Sequence, residues 1–279
     1  MEIIKTINEA RIIVDLWKKE GKSIGLVPTM GYLHEGHESL IKKAVSDNDK
    51  VVVSIFVNPL QFGPNEDLET YPRNIERDLS LCEKNSVDFI FAPEATEMYQ
   101  EAVSTFVNVR KLTEGLCGLK RPGHFQGVCT VITKLFNILK PDRAYFGEKD
   151  AQQLAVIKKM TRDLSFNVEI VGCPIIREFD GLAKSSRNYY LSKEERQAAL
   201  VLSRSLLKAK ESIKDGLKDV FKVKDIIIKE IEKEPLATID YVEIVDSENL
   251  EAVESLNKKF LIAIAVFIGK TRLIDNISL

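Results

Sequence analysis

At 279 residues, with 44% hydrophobic and 29% charged residues, the chain has the composition of a folded protein with room for one large domain or two of unequal size. A formal charge of -2, from 40 Lys+Arg against 42 Asp+Glu, leaves no net basic field, so neither nucleic acid nor a membrane surface is an expected partner. Glu2 lies near the start, no signal-peptide run follows it, and the longest apolar run, Phe260 to Ile268, is too short to span a bilayer; a cytoplasmic location is expected.

In the first two-thirds of the chain, short β-branched runs alternate with helical spacing, the pattern of βαβ units and a parallel sheet. The expected strands are Ile24 to Val27, Val51 to Val57, Val87 to Phe91, Arg143 to Phe146 and Val168 to Val171, with Thr105 to Val109 as a further candidate. Leu40, Ile41, Ala44 and Val45 recur at helical intervals after a start near His37. Phe125, Val128, Cys129, Ile132, Leu135, Phe136 and Leu139 mark another helix with one face on the sheet. After about Ser185 the pattern changes. Ser192-Lys193-Glu194-Glu195 reads as a capping box opening a long helix to about Lys214, and a second helix spans Val220 to Lys233 before Pro235. Ile239 to Val245, Phe260 to Ile268 and Arg272 to Ile274 then follow as strands without intervening helices, so an α/β domain precedes a smaller α+β domain. Cys82, Cys117, Cys129 and Cys173 form no CxxC pair and read as buried free thiols.

The three histidines, His34, His37 and His124, all lie in glycine-containing segments. The first two belong to Pro28-Thr29-Met30-Gly31-Tyr32-Leu33-His34-Glu35-Gly36-His37, which joins a strand to a helix. Gly31 and Gly36 let backbone approach a ligand, and amides at a helix start favour phosphate. Two imidazoles three residues apart can face one phosphate and donate as charge develops on departing pyrophosphate. The helical HExxH spacing of a zinc metalloprotease is absent, and a purely structural loop with chance histidines is the bland alternative.

Other polar segments follow the ends of other strands, where ligands of an open parallel sheet bind. Asn58-Pro59-Leu60-Gln61 follows the second expected strand, Gly147-Glu148-Lys149-Asp150 the fourth, and Ile176 to Asn188 the fifth. Lys149 can set an ammonium against phosphates or simply sit at a helix start. Gln61 and Gln153 offer donors and acceptors for hydroxyl and carboxylate groups, although an isolated glutamine is usually solvated. Lys184-Ser185-Ser186-Arg187 reads either as a mobile triphosphate-binding loop or as an interdomain linker. Arg121-Pro122-Gly123-His124 could hold a substrate anion or only cap a helix.

Four segments together resemble the pantothenate synthetase, or pantoate–β-alanine ligase, family: PTMGYLHEGHESL at 28–40, SIFVNPLQFGPNEDLETYPR at 54–73, RPGHFQGVCTVITKLFNILKPDRAYFGEKDAQQL at 121–154 and REFDGLAKSSRNYYL at 177–191. HxGH alone would indicate only the wider nucleotidyltransferase group; the other segments narrow it. The resemblance implies a Rossmann-like domain over 1–180, a smaller α+β lid domain over 181–279, and a homodimer. It implies ATP-dependent condensation of (R)-pantoate with β-alanine through a pantoyl adenylate, with Mg2+ accompanying ATP and no protein ligand for the metal identified. On that resemblance His37 is the proton donor, with His34 and Lys149 as catalytic partners. Met30, Gly31, Tyr32, Leu33, His34, Glu35, Gly36, His37, Gly147, Glu148, Lys149, Asp150, Ile176, Lys184, Ser185, Ser186 and Arg187 match its ATP-binding positions. Gln61 and Gln153 match its pantoate glutamines, Gln61 also reaching β-alanine, and Asn58 and Arg121 join them as expected substrate contacts. Lys184 stands where the family more often has methionine. The competing readings are another HxGH adenylyltransferase, which keeps AMP on its acceptor, and a nucleotide sensor that binds without turnover.

Overall fold

The computed structural model describes every residue except Asn65, which falls inside the 54–73 segment, and Glu101. The chain opens with β1 (Glu2–Ile4) and α1 (Ile7–Lys19), then β2 (Ile24–Thr29), α2 (Glu35–Asp47), β3 (Lys50–Ile55), α3 (Ile75–Lys84) and β4 (Phe89–Phe91). Two short helices, α4 (Ala95–Met98) and α5 (Leu116–Lys120), lead to α6 (His124–Leu139), β5 (Arg143–Gly147), α7 (Ala151–Asp163) and β6 (Glu169–Cys173). These six strands form one sheet in the order β1-β4-β3-β2-β5-β6, with every neighbouring pair parallel.

The direction of winding reverses between β2 and β5, so the loops leaving their carboxyl ends diverge and open a crevice there. Strand alternation explains the two cores. Leu26 and Val52 point to the side of α1, α6 and α7, where they pack with Val14, Val128, Ile132 and Ile157. Val27, Val51 and Val53 point the other way, into a cluster with Leu40, Ile41 and Ala44 of α2 and Cys82 of α3. All four cysteines are free and buried, as their scatter implied.

The remainder comprises α8 (Lys193–Ala198), α9 (Leu200–Lys214), α10 (Val220–Ile231), β7 (Ala237–Asp246), β8 (Phe260–Ile268) and β9 (Thr271–Ser278). The three strands form an antiparallel sheet in the order β7-β8-β9. Its core, including Leu202, Val223, Ile227, Ile264 and Val266, is separate from the other two. Arg177 joins the two parts through a bidentate pair with buried Asp275, at 2.7 and 2.9 Å.

Several expectations change. Thr105 to Val109 joins no ladder; the Val107 amide instead donates to Thr130 Oγ1 on α6 at 3.1 Å, and β1 and β6 occupy the sheet edges. The long helix after Ser192 is interrupted at Ala199, so it becomes α8 and α9. The strand expected to reach Val57 ends at Ile55, before the turn that Asn58 caps. The helix expected near His37 begins at Glu35, because His34 itself is the cap. Among the described residues, no helix is long and apolar enough to cross a membrane.

Candidate active site

The β2–α2 junction is built around the two histidines. His34 adopts an extended backbone, and its Nδ1 accepts the Gly36 amide at 3.1 Å. His37 Nδ1 reaches back to accept the His34 amide at 3.3 Å, so the pair forms a reciprocal capping box. Gly36 is required by this arrangement, since a Cβ there would lie 2.8 Å from His34 Cε1. The rings lie with centroids 4.1 Å apart and their planes tilted by 35°. With both Nδ1 atoms accepting, the proton of each neutral imidazole resides on Nε2.

Burial keeps them neutral. It lowers the His34 pKa to about 2, helped by His37 and by the positive charges of Lys149, Lys184 and Arg77. Burial also lowers His37 to about 4; Asp150 opposes the shift and Lys149 adds to it. The site therefore holds two neutral N–H donors at pH 7, suited to stabilising a developing anion without carrying a positive charge of their own.

A cavity of about 220 Å³ opens beside them, lined by Met30, Gly36, Gln61, Gly147, Lys149, Asp150, Gln153, Ile176 and Lys184 to Arg187. Its apolar wall comes from Pro28, Phe56, Phe146 and the α6 residues Val128, Val131, Ile132 and Leu135. A larger cavity of about 970 Å³ extends toward β9. Lys149, Asp150, Gln153, Ser185 and Arg187 line both, so they stand where the two meet. Ile176 comes close to Lys184 because the Lys184 amide donates to the Ile176 carbonyl at 2.9 Å.

Gln61 is held from several directions. Asn58 Nδ2 donates to its Oε1 at 3.2 Å, and its Nε2 approaches Met30 Sδ at 3.0 Å. The Gln61 carbonyl meets His124 Nδ1 at 2.8 Å, while Arg121 Nη1 lies 3.1 Å from His124 Nε2. A guanidinium only donates, so Nε2 accepts and the His124 proton sits on Nδ1, directed at Gln61. Burial and Arg121 lower the His124 pKa to about 4. The tight approach of α6 to this turn needs Gly127, where a Cβ would lie 2.2 Å from the Leu60 carbonyl oxygen.

Not every expected contact faces the cavities. Asn58 is buried and fully engaged: besides Gln61, it bonds the Gly127 carbonyl, the Leu60 amide and the Tyr99 hydroxyl. Arg121 does line the larger cavity, but Glu66 holds its Nε at 2.7 Å. Arg187 is paired with Asp67 at 2.8 and 3.0 Å. Tyr32 and Leu33 are among the expected ATP-binding positions; their amides donate to the buried carboxylate of Asp78 at 2.8 and 2.6 Å. The Glu148 and Lys149 carbonyls accept from Asn276 Nδ2 of β9 at 3.0 and 2.8 Å, which braces the Gly147–Asp150 turn. Asp78 and Asn276 carry no local motif and escape sequence reading; Asp67 lies inside the 54–73 segment, but nothing local marks it as the partner of Arg187.

Lys184 also differs from a free cation. Its ammonium lies 2.7 Å from Glu178 and 3.0 Å from Glu35. These contacts raise its pKa against the opposing effect of burial. Replacing it by the family's more usual residue, Lys184→Met, is expected to change the KM for ATP by less than about threefold, because an ammonium already paired has little left for a phosphate. Steady-state kinetics check this; a tenfold rise would place the ammonium on the triphosphate.

The pantoate-beta-alanine ligase family profile matches residues 2–278. The chain belongs to the pantoate–β-alanine ligase family. Among its relatives in this ligase family, a pantothenate synthetase of Clostridium botulinum type A is 63% identical over 276 residues, covering 99% of this chain and 98% of that one. Another, from Clostridium novyi, is 64% identical over 273 residues, 98% of this chain and 96% of that one. The crystal structure of the Thermus thermophilus pantothenate synthetase superposes with a TM-score of 0.95 at 45% identity, over 99% of both chains. The Francisella tularensis pantoate–β-alanine ligase, crystallised with "Beta-gamma ATP" and β-alanine, superposes with a TM-score of 0.80 at 36% identity, over 99% of this chain and 97% of that one.

Proposed function

We propose that the chain condenses (R)-pantoate with β-alanine at the expense of ATP, through a pantoyl adenylate, giving pantothenate, AMP and pyrophosphate. The observation that carries this reading is the pair of Nε2–H donors beside a half-apolar cavity whose polar lining includes Gln61, Gln153 and Lys149. The ATP and β-alanine of the Francisella tularensis relative support the same ligands here.

In the first step a pantoate carboxylate oxygen attacks the α-phosphorus, and the bond to the bridging oxygen of pyrophosphate breaks. His34 and His37 donate to phosphate oxygens as charge grows, and Lys149 supplies a fixed positive charge. Gln61 and Gln153 hold the acid, and the apolar wall accommodates its gem-dimethyl group. In the second step the β-alanine amine attacks the acyl carbon, the bond to AMP breaks, and the amine loses a proton. No covalent nucleophile is needed from the protein, since alignment of the reactants and charge stabilisation carry the chemistry.

Mg2+ offsets triphosphate charge in such reactions. Among the described residues no group of three or more His, Cys, Asp or Glu side chains is placed to hold it, so it fits as a companion of the ATP phosphates rather than a resident ion. The separate cores support a division near residue 180, with 181–279 acting as a lid. The family resemblance supports a homodimeric, cytoplasmic enzyme.

The test is pyrophosphate and AMP release from ATP and (R)-pantoate, with and without β-alanine, while pantothenate is followed by mass spectrometry. Pantothenate and AMP are expected only with all three substrates. A stable adenylylated product, or ATP binding without pantoate-dependent pyrophosphate, would overturn the reading.

A further inference from the structure

Four buried side-chain polar atoms lack a hydrogen-bond partner among the described residues: Ser54 Oγ, Thr161 Oγ1, Asn188 Oδ1 and Arg196 Nη1. Of these residues only Ser54 lines the 220 Å³ cavity, and it is 1% exposed. Strand alternation settles which way it faces. Ser54 shares a face of β3 with Val52, and Val52 packs in the cluster that holds the α6 residues Val128, Val131, Ile132 and Leu135. Those same α6 residues form the cavity's apolar wall, so an orphaned hydroxyl sits on an otherwise apolar surface. A buried hydroxyl left unpaired is costly, which gives a ligand oxygen there a partner that water-exposed groups would not offer.

Position along the strands assigns the ligand atom. Ser54 pairs in register with Pro28, inside β2, whereas His34, His37 and Lys149 lie in the segments beyond the ends of β2 and β5. The carboxylate of the acid must sit at that outer level to meet the α-phosphate. The floor at Ser54 is then left for the opposite end of the molecule.

We propose that Ser54 is a specificity-determining residue whose hydroxyl hydrogen-bonds the terminal hydroxymethyl group of pantoate. The inference rests on the ligase reading above and adds Ser54 to the residues that hold the acid. Its consequence is selectivity for acids carrying a hydroxyl at the end remote from the carboxylate, because a site with a buried polar group rejects an analogue that leaves the group unpaired.

The experiment compares pantoate with 2-hydroxy-3,3-dimethylbutanoate, which lacks only the terminal hydroxyl, and with 4-hydroxy-3,3-dimethylbutanoate, which keeps it and lacks the other. Wild-type enzyme and Ser54→Ala are assayed by pyrophosphate release, and Ser54→Thr, which retains a hydroxyl, is the second variant. Wild-type turnover of pantoate and β-alanine into pantothenate, followed by mass spectrometry, establishes the ligase reading independently. For the wild type, kcat/KM is expected to fall by roughly tenfold or more without the terminal hydroxyl. In Ser54→Ala, pantoate is expected to lose about that factor while the terminally deoxygenated acid loses little, so discrimination between the two collapses; the KM for ATP stays unchanged. Ser54→Thr is expected to keep part of the discrimination. Equal discrimination by wild type and Ser54→Ala overturns the contact, as does a loss of coupling confined to the other hydroxyl.

Discussion

His37→Ala is expected to slow pantoate-dependent pyrophosphate release in a single turnover by about 100- to 1,000-fold, the usual cost of removing one positioned donor from a charge-stabilising site. Binding of ATP is expected to weaken far less, since the contact strengthens as charge moves onto the leaving pyrophosphate. The pH dependence separates a neutral donor from an imidazolium. Because the His37 pKa is lowered to about 4, the wild-type rate of this first step is expected to hold through pH 6.5 and to fall only as pH approaches 4. Stability moves over the same window. An unfolded histidine takes up its proton near pH 6.5, whereas burial holds His37 and His124 near 4 and His34 near 2. The unfolded chain then binds more protons between these values, so stability is full above about pH 6.5 and declines as pH falls toward 4. Thermal melts from pH 7.5 to 4.5 check the second effect. A first-step rate near wild type in His37→Ala, or an acid limb centred at 6.5, would remove the neutral-donor role.

What could be read from the chain follows from the range of each interaction. The parallel strands and α6 were legible because their apolar periodicity is local, and the Ser192 capping box because both partners lie within one turn. The HxGH segment was legible for the same reason: the histidine capping box closes over three residues. The three-residue β1 is too short to declare a period, and its place comes from pairing with β4, some 87 residues later. Thr105 to Val109 has the right residue types for a strand, yet an unpaired run joins a sheet only where an edge is open, and the contact actually made is to Thr130. Lys184 was visible as an added cation, but its meaning depends on Glu35 and Glu178, which only the folded chain brings to it. Nor does a motif announce that Ser54 lacks a partner or that Asn276 braces the Lys149 turn; both are properties of assembled surfaces.

Asp78 is the clearest case of a distant residue governing the site, and its replacement is expected to have the second large effect. Its carboxylate, 1% exposed on α3, accepts the Tyr32 and Leu33 amides across separations of 46 and 45 residues. Tyr32 lies at φ 52, a region that costs a non-glycine residue about 1 kcal/mol or more, and these two bonds hold it there. The chain is thereby set to enter α2 with His34 as its cap. Asp78→Ala leaves both amides without their acceptor and is expected to cost about 3 kcal/mol or more, a fall of roughly 5–10 °C in Tm. Asp78→Asn retains one carbonyl acceptor and turns an amino group toward the other amide, so an intermediate loss follows. The kinetic signature separates positioning from mere stability. Assayed well below its melting temperature, each variant is expected to lose kcat for pyrophosphate release in the same order, alanine more than asparagine, while the KM for pantoate changes little because Gln61 and Gln153 stand on other segments. A variant that melts early but turns over normally in the cold would make Asp78 a stabiliser of the loop alone; a parallel loss of rate makes it the group that aims the histidines.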